Sequence, residues 1–171
     1  MKDLKYPIGK YIPPQIITVA HLEEWIDKLT VLPQEIEEIT GGLSDGALLV
    51  PYRPGGWTVK QVINHLADSH MNAYIRVHLI LTEENPTIRP YFEDRWAKLV
   101  DGETGDTQVS IAILKAIHTR LVFLLKSLKP EDFERTYFHP EVQQQFTLSY
   151  LVGNYAWHGK HHLAHIQSTL K

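Results

Sequence analysis

Apolar residues recur at mixed three- and four-residue spacing along four stretches of this chain, a period that predicts four long amphipathic helices. The first runs from about Thr18 to Thr40, with Leu22, Trp25, Ile26, Leu29, Leu32, Ile36 and Ile39 on its apolar face. Gly41-Gly42 ends it. Pro33 lies inside and is expected to kink the helix or split it in two. The second opens at Thr58, with Gln61 three residues on as a capping box, and ends near Glu84. Val59, Val62, Ile63, Leu66, Ala73, Tyr74, Val77 and Ile80 form its apolar face. The third spans about Thr107 to Leu128, carried by Ile111, Leu114, Ile117, Leu121, Leu124, Leu125 and Leu128, and Lys129-Pro130 stops it. Thr147 caps the fourth, which continues almost to Lys171.

Between these stretches the pattern breaks. Residues 1–17 hold Pro7, Pro13 and Pro14 and read as an extended arm, which packs across the body or reaches a neighbouring subunit. Residues 43–56 read as a loop, and residues 85–106 as loop-like with one helical turn around Trp96. Residues 131–146 are polar, with a short β-ribbon expected around Tyr137 and Phe146. The expected fold class is all-α: one four-helix bundle domain over residues 1–171, with connections longer than tight turns. Such connections must cover an end of the bundle, where a pocket can form.

Composition narrows the function. A chain of 171 residues is long enough for one self-sufficient core. Net charge is −3 and no cluster of Lys and Arg stands out, which argues against a nucleic-acid partner. No apolar run approaches the roughly 20 residues of a membrane span, and the first residues lack the apolar segment of a signal peptide. The expectation is therefore no membrane partner and a cytoplasmic location. With no cysteine, disulfide scaffolds, cysteine zinc sites, iron–sulfur clusters and cysteine nucleophiles are excluded. Any sulfur chemistry must arrive with a substrate.

Histidine is the unusual residue, at ten copies. His158 and His162 lie about 40° apart on a helical projection, on the stripe shared with Leu148, Leu151, Tyr155 and Ile166. His161 and His165 project about 100° and about 60° away from His162, so of the two HxxxH pairs His158/His162 is the inward one. Two neutral rings on one apolar stripe each need a donor and an acceptor. A divalent metal satisfies both; so do hydrogen bonds within a core, and the spacing leaves both open. The glutamate of a HExxH zinc protease is absent, because Gly159 follows His158. On the second helix His65, Asp68, Asn72 and Arg76 share a stripe well away from the apolar centre. That stripe is either a solvated face or the polar wall of a pocket. His65 sits within about 10 Å of the helix start.

The blocks Tyr6-Pro-Ile-Gly9, Pro51-Tyr-Arg-Pro-Gly-Gly-Trp-Thr-Val59, Asn64-His-Leu-Ala-Asp-Ser-His-Met-Asn-Ala-Tyr74, Glu84-Asn-Pro-Thr-Ile-Arg-Pro-Tyr91 and Tyr155-Ala-Trp-His-Gly-Lys-His-His-Leu-Ala-His-Ile166 cover most of the chain. Through them the sequence resembles the DinB-like superfamily, and within it the YfiT-type branch of metal-dependent hydrolases. The resemblance implies a four-helix bundle, often a homodimer, with one divalent metal per subunit held by three histidines. The family's pattern, one histidine early in the second helix and HxxxH in the fourth, falls on His65, His158 and His162. It also implies a link to bacillithiol, mycothiol or glutathione S-transfer beside the older hydrolase label.

Three imidazoles leave a metal dipositive with an open position, the catalytic rather than the structural arrangement. Water there acidifies towards a pKa of about 7 and yields a hydroxide for a hydrolase. A small thiol there is deprotonated and yields a thiolate for a bacillithiol-type S-transferase acting on electrophiles. The metal-bound water or thiolate is thus the only catalytic group assignable. Thiol transfer is the first expectation and hydrolysis of a small-molecule ester, amide or lactone the alternative. A small-molecule binding protein with a structural metal is the non-enzymatic rival. Imidazole donors suit Zn2+ or Ni2+, among others. Asn72 and Arg76 are candidates to hold the carboxylate or polar tail of a small-molecule substrate. Asp68 could orient an imidazole, and Arg53 and Trp57 could rim the pocket. His161 and His165 are expected at the surface and His70 in the core. His21, His78, His118 and His139 carry no signal.

Overall fold

A computed structural model describes residues 3–170. In chain order it contains α1 (Val19–Thr40), α2 (Asp45–Leu48), α3 (Val59–Thr82), α4 (Glu93–Trp96), α5 (Val100–Thr104) and α6 (Thr107–Ser127). A 3₁₀ turn (Pro130–Glu134), the strands β1 (Thr136–His139) and β2 (Gln144–Thr147), and α7 (Leu148–Thr169) follow. The four long helices are those the apolar period predicts. Their starts are fixed by side chains that accept from otherwise free backbone N–H groups. Thr58 and Gln61 form the expected capping box on α3. Thr18 forms a second box on α1, with His21 as its partner. Thr147 caps α7.

Side-chain pairings give the helix directions. His70 with His118 and Tyr74 with Arg120 make α3 and α6 parallel neighbours. Glu35 with Lys160 makes α1 and α7 parallel, as does the approach of Trp25 to Gly153. Leu29 with His118 and Glu37 with Lys115 set α1 against α6, and Arg76 with Tyr155 and His65 with His158 set α3 against α7. Because α3 and α6 run the same way, the link between them must return along the whole bundle. This is why residues 83–106 are so many. They carry two short helices, α4 and α5, rather than one turn, and α3 pins them: Gln61 donates to the Ala97 carbonyl, and Asn64 to those of Asp101 and Gly102.

The expected β-ribbon is present, and in its register Tyr137 lies opposite Phe146. Pro33 does not split α1, which runs unbroken through it. Proline has no N–H for the carbonyl four residues back. That carbonyl, on Leu29, instead accepts from His118 Nδ1 at 2.6 Å.

The core falls into two apolar clusters. One holds Leu32, Ile36, Val62, Ile63, Leu66, Ile111, Leu114, Leu163 and Ile166, and the other Leu29, Ala73, Val77, Ile80, Leu121, Leu125, Leu151 and Val152. His70 and His118, both fully buried, lie where one gives way to the other. Against the expectation of no membrane-length apolar segment, α6 is long and apolar enough to cross one, with a mean hydropathy of 1.5. Its Ile111, Leu114, Leu121 and Leu125 are instead buried in the bundle.

The N-terminal arm packs across the body. Trp157 Nε1 donates to the Gly9 carbonyl, His165 Nε2 to that of Lys5, and Tyr6 lies against His161.

Candidate metal centre

His65 projects from the second turn of α3, and His158 and His162 from successive turns of α7 where it runs antiparallel to α3. One ligating nitrogen from each of the three lies within 4.8 Å of the others, and Nε2 of His65 is 3.2 Å from Nε2 of His158. Metal–nitrogen distances of 2.0–2.1 Å in a tetrahedral zinc site place two ligand nitrogens about 3.3 Å apart, so His65 and His158 stand at a coordinating spacing with the third nitrogen within 4.8 Å. The electrostatics agree. Burial, reinforced by the neighbouring imidazoles, pushes the His65 pKa down to about 4 and those of His158 and His162 well below the ordinary value. All three are therefore neutral at pH 7 with a lone pair to offer. Two facing Nε2 lone pairs repel unless a proton or a cation lies between them, and an all-imidazole set suits a borderline divalent ion. The residues present fit a single metal.

The trio opens into a cleft of about 500 Å³. Trp57 forms one wall, its ring 4.7 Å from that of His65 and nearly parallel to that of His162. It also packs on the apolar cluster beneath, so it both rims the pocket and closes the bundle end. Arg53, Arg76 and Lys5 bring positive charge to the cleft, and Glu93 and Asp94 bring negative charge.

Arg76 reaches the cleft, with its guanidinium donating to the Tyr155 hydroxyl at 2.9 Å and the Arg89 carbonyl at 3.0 Å. Asn72 is placed differently. It does not line the cleft, and its amide donates to the Asp68 carbonyl on its own helix. Asp68 makes no hydrogen bond to an imidazole among the described residues. Its carboxyl is pushed up to about 6 by burial and by the charge of Asp101.

His161 and His165 are not at the surface: both are buried. The arm covers that flank of α7, and Tyr52 stacks on His165 at 3.8 Å between ring centres. A helical projection counts only the bundle as interior and so misses this cover. His118, which carried no sequence signal, bonds His70 at 2.8 Å, and His70 in turn lies 3.3 Å from His158 Nδ1. The signal that could have found it is Pro33, which frees an acceptor in the helix packed against α6.

A family model described as the DinB superfamily matches residues 28–166. The chain is 45% identical over 164 residues to the "putative metal-dependent hydrolase YfiT" of Bacillus subtilis, covering 96% of this chain and 92% of that one. It is 48% identical over 168 residues to a "putative metal-dependent hydrolase" of Bacillus mycoides, covering 98% and 96%. A solved structure described as "YfiT from Bacillus subtilis is a probable metal-dependent hydrolase with an unusual four-helix bundle topology" superposes with a TM-score of 0.95. That match is at 44% identity over 98% of this chain and 95% of the other. The four-helix bundle thus agrees with the family match over most of the length: the chain belongs to the DinB superfamily, among its YfiT-type members.

Proposed function

We propose that this protein is a single-metal enzyme that transfers a low-molecular-weight thiol, of the bacillithiol type, to a small electrophile, with His65, His158 and His162 holding the ion. The observation that carries the reading is a neutral, all-histidine donor set at the floor of an open cleft lined by Arg53, Arg76 and Lys5. A dipositive zinc or nickel ion bound there supplies Lewis acidity that favours the ionised form of a thiol or of water.

The chain's own residues do the rest. Arg76, braced by Tyr155 and the Arg89 carbonyl, is positioned to pair with a carboxylate of the thiol. Trp57 shields one side of the trio from bulk water. Burial keeps the pKa of Tyr91 and Tyr155 raised, so both phenols stay protonated in the cleft wall. The thiol gives its proton to solvent, its sulfur bonds the electrophilic carbon, and the leaving group departs with the bonding pair.

The names of the relatives favour a second reading, hydrolysis of a small ester, amide or lactone. Cobalt-substituted protein titrated with bacillithiol, mycothiol and glutathione separates the two. A saturable sulfur-to-metal charge-transfer band with one thiol, lost in His162→Ala, supports transfer. Absence of a band with all three sinks it and turns the search to hydrolytic substrates.

A further inference from the structure

We propose that two imidazole chains, each ending on a backbone carbonyl, hold His158 and His162 in the tautomer that turns a bare Nε2 towards the metal. His70, His118 and His165 are then positioning residues of the site. The inference rests on the metal reading for its purpose, though not for the tautomers themselves.

A carbonyl oxygen can only accept, and that fixes each chain from its far end. The Leu29 carbonyl lies 2.6 Å from His118 Nδ1, so Nδ1 carries the proton. A neutral ring protonated at Nδ1 has an accepting Nε2, and this nitrogen is 2.8 Å from His70 Nδ1. His70 Nδ1 must then donate, which leaves His70 Nε2 as an acceptor. That atom is 3.3 Å from His158 Nδ1, which donates in turn. His158 Nε2 is left bare, facing His65 Nε2. The second chain is shorter. The Lys5 carbonyl accepts from His165 Nε2 at 3.3 Å, so His165 Nδ1 is bare. It lies 3.4 Å from His162 Nδ1, which donates to it and leaves His162 Nε2 free for the ion.

The two chains draw on distant parts of the fold. The first crosses the bundle interior from α1 through α6 and α3 to α7, between the two apolar clusters. The second is closed by the N-terminal arm. An unconstrained neutral imidazole favours its proton on Nε2, the wrong nitrogen for this site. Partners on the outer nitrogen of a metal-bound histidine typically change metal affinity 10–100-fold when removed.

Long-range proton–nitrogen spectra of ¹⁵N-labelled, metal-free protein at pH 7.5 read the tautomers directly. The expected pattern is Nδ1–H for His118, His70, His158 and His162, and Nε2–H for His165. An Nε2–H form at His70 or His158 overturns the first chain, and one at His162 the second. Metal affinity by chelator competition tests the purpose. His118→Phe should weaken zinc binding about 10–100-fold. His118→Gln, whose amide can donate to Leu29 and accept from His70, should restore most of it. Equal affinities for wild type, His118→Phe and His118→Gln overturn the positioning role. Should His118→Phe fail to fold, His165→Phe against His165→Gln makes the same comparison on the second chain. A wild-type protein that binds no metal defeats the metal reading, and the positioning role with it, while the spectra still decide whether the chains exist.

Discussion

Pro33 and His118 depend on one carbonyl: the proline cannot donate to Leu29 across the helical turn, and the imidazole 2.6 Å away does so instead. An unserved carbonyl buried between two apolar clusters would cost about 1–3 kcal/mol, so each residue makes the other tolerable. The missing hydrogen bond in α1 and the histidine in α6 are thus one feature, and through His70 it ends at His158 of the candidate metal centre.

His65→Ala and His162→Ala are expected to remove tight metal binding while the helical circular dichroism spectrum stays that of the parent. The trio contributes one nitrogen each, and two imidazoles do not make a closed chelate on this scaffold. Metal content of the purified variants is the check, and a full equivalent retained by either would sink the ligand assignment.

The four long helices, the Thr58–Gln61 box and the short β-ribbon around Tyr137 and Phe146 were legible because each follows from residues close in sequence. The histidines of the site were legible in part for the same reason, since His158 and His162 are one turn apart. What could not be read depends on partners far along the chain. His118 meets Leu29 across 89 residues and His165 meets Lys5 across 160, and no periodicity encodes such meetings. Asn72 shares a helical stripe with His65 and Arg76, yet its short amide finds the Asp68 carbonyl first. The parallel course of α3 and α6 was equally hidden. Only the length of residues 83–106 hinted at it.

Acid should destabilise the metal-free protein. Burial holds the pKa of His65 and His118 down to about 4, against about 6.5 in the unfolded chain. Between those values the unfolded state binds protons that the folded state refuses, so stability is full above about pH 6.5 and falls as pH drops towards 4. From pH 7.5 to 5.5 each of the two should lose up to about 1.4 kcal/mol. Urea unfolding at both values is the measurement, and unchanged midpoints would contradict neutral buried rings.

Asp68 works in the opposite sense. Its carboxyl, pushed up to about 6, favours the protonated form in the folded protein, a contribution present below about pH 4 and lost as pH rises through 6. Asp68→Asn should therefore raise stability at pH 8, by less than about 1 kcal/mol because the group is only half-buried. The gain should vanish at pH 4. A destabilised variant at pH 8 would mean that the carboxylate has a partner worth keeping.

The arm should loosen when Trp157 is cut back. Its indole donates to the Gly9 carbonyl at 3.2 Å and stacks on His161. Trp157→Ala removes both, and proteolysis within residues 3–11 should quicken while the bundle core keeps its hydrogen-exchange protection. Unchanged cleavage would show that Tyr6 and the Lys5 carbonyl hold the arm alone.

Gly159 stands where a HExxH protease carries its catalytic glutamate, and its surroundings explain why no acid could serve there. The position faces α1, and a Cβ on it would run into the side chain of Leu32, itself buried. His158 and His162 line the cleft instead. A glutamate at 159 would have to enter the α1–α7 interface against Leu32. Gly159→Ala should accordingly destabilise the protein by about 1–3 kcal/mol through overpacking. Pairing it with Leu32→Ala should recover part of that loss, since the two changes share one space. Urea denaturation of the two single variants and the double variant measures the coupling. Strictly additive losses would place the constraint on position 159 somewhere other than the helix contact.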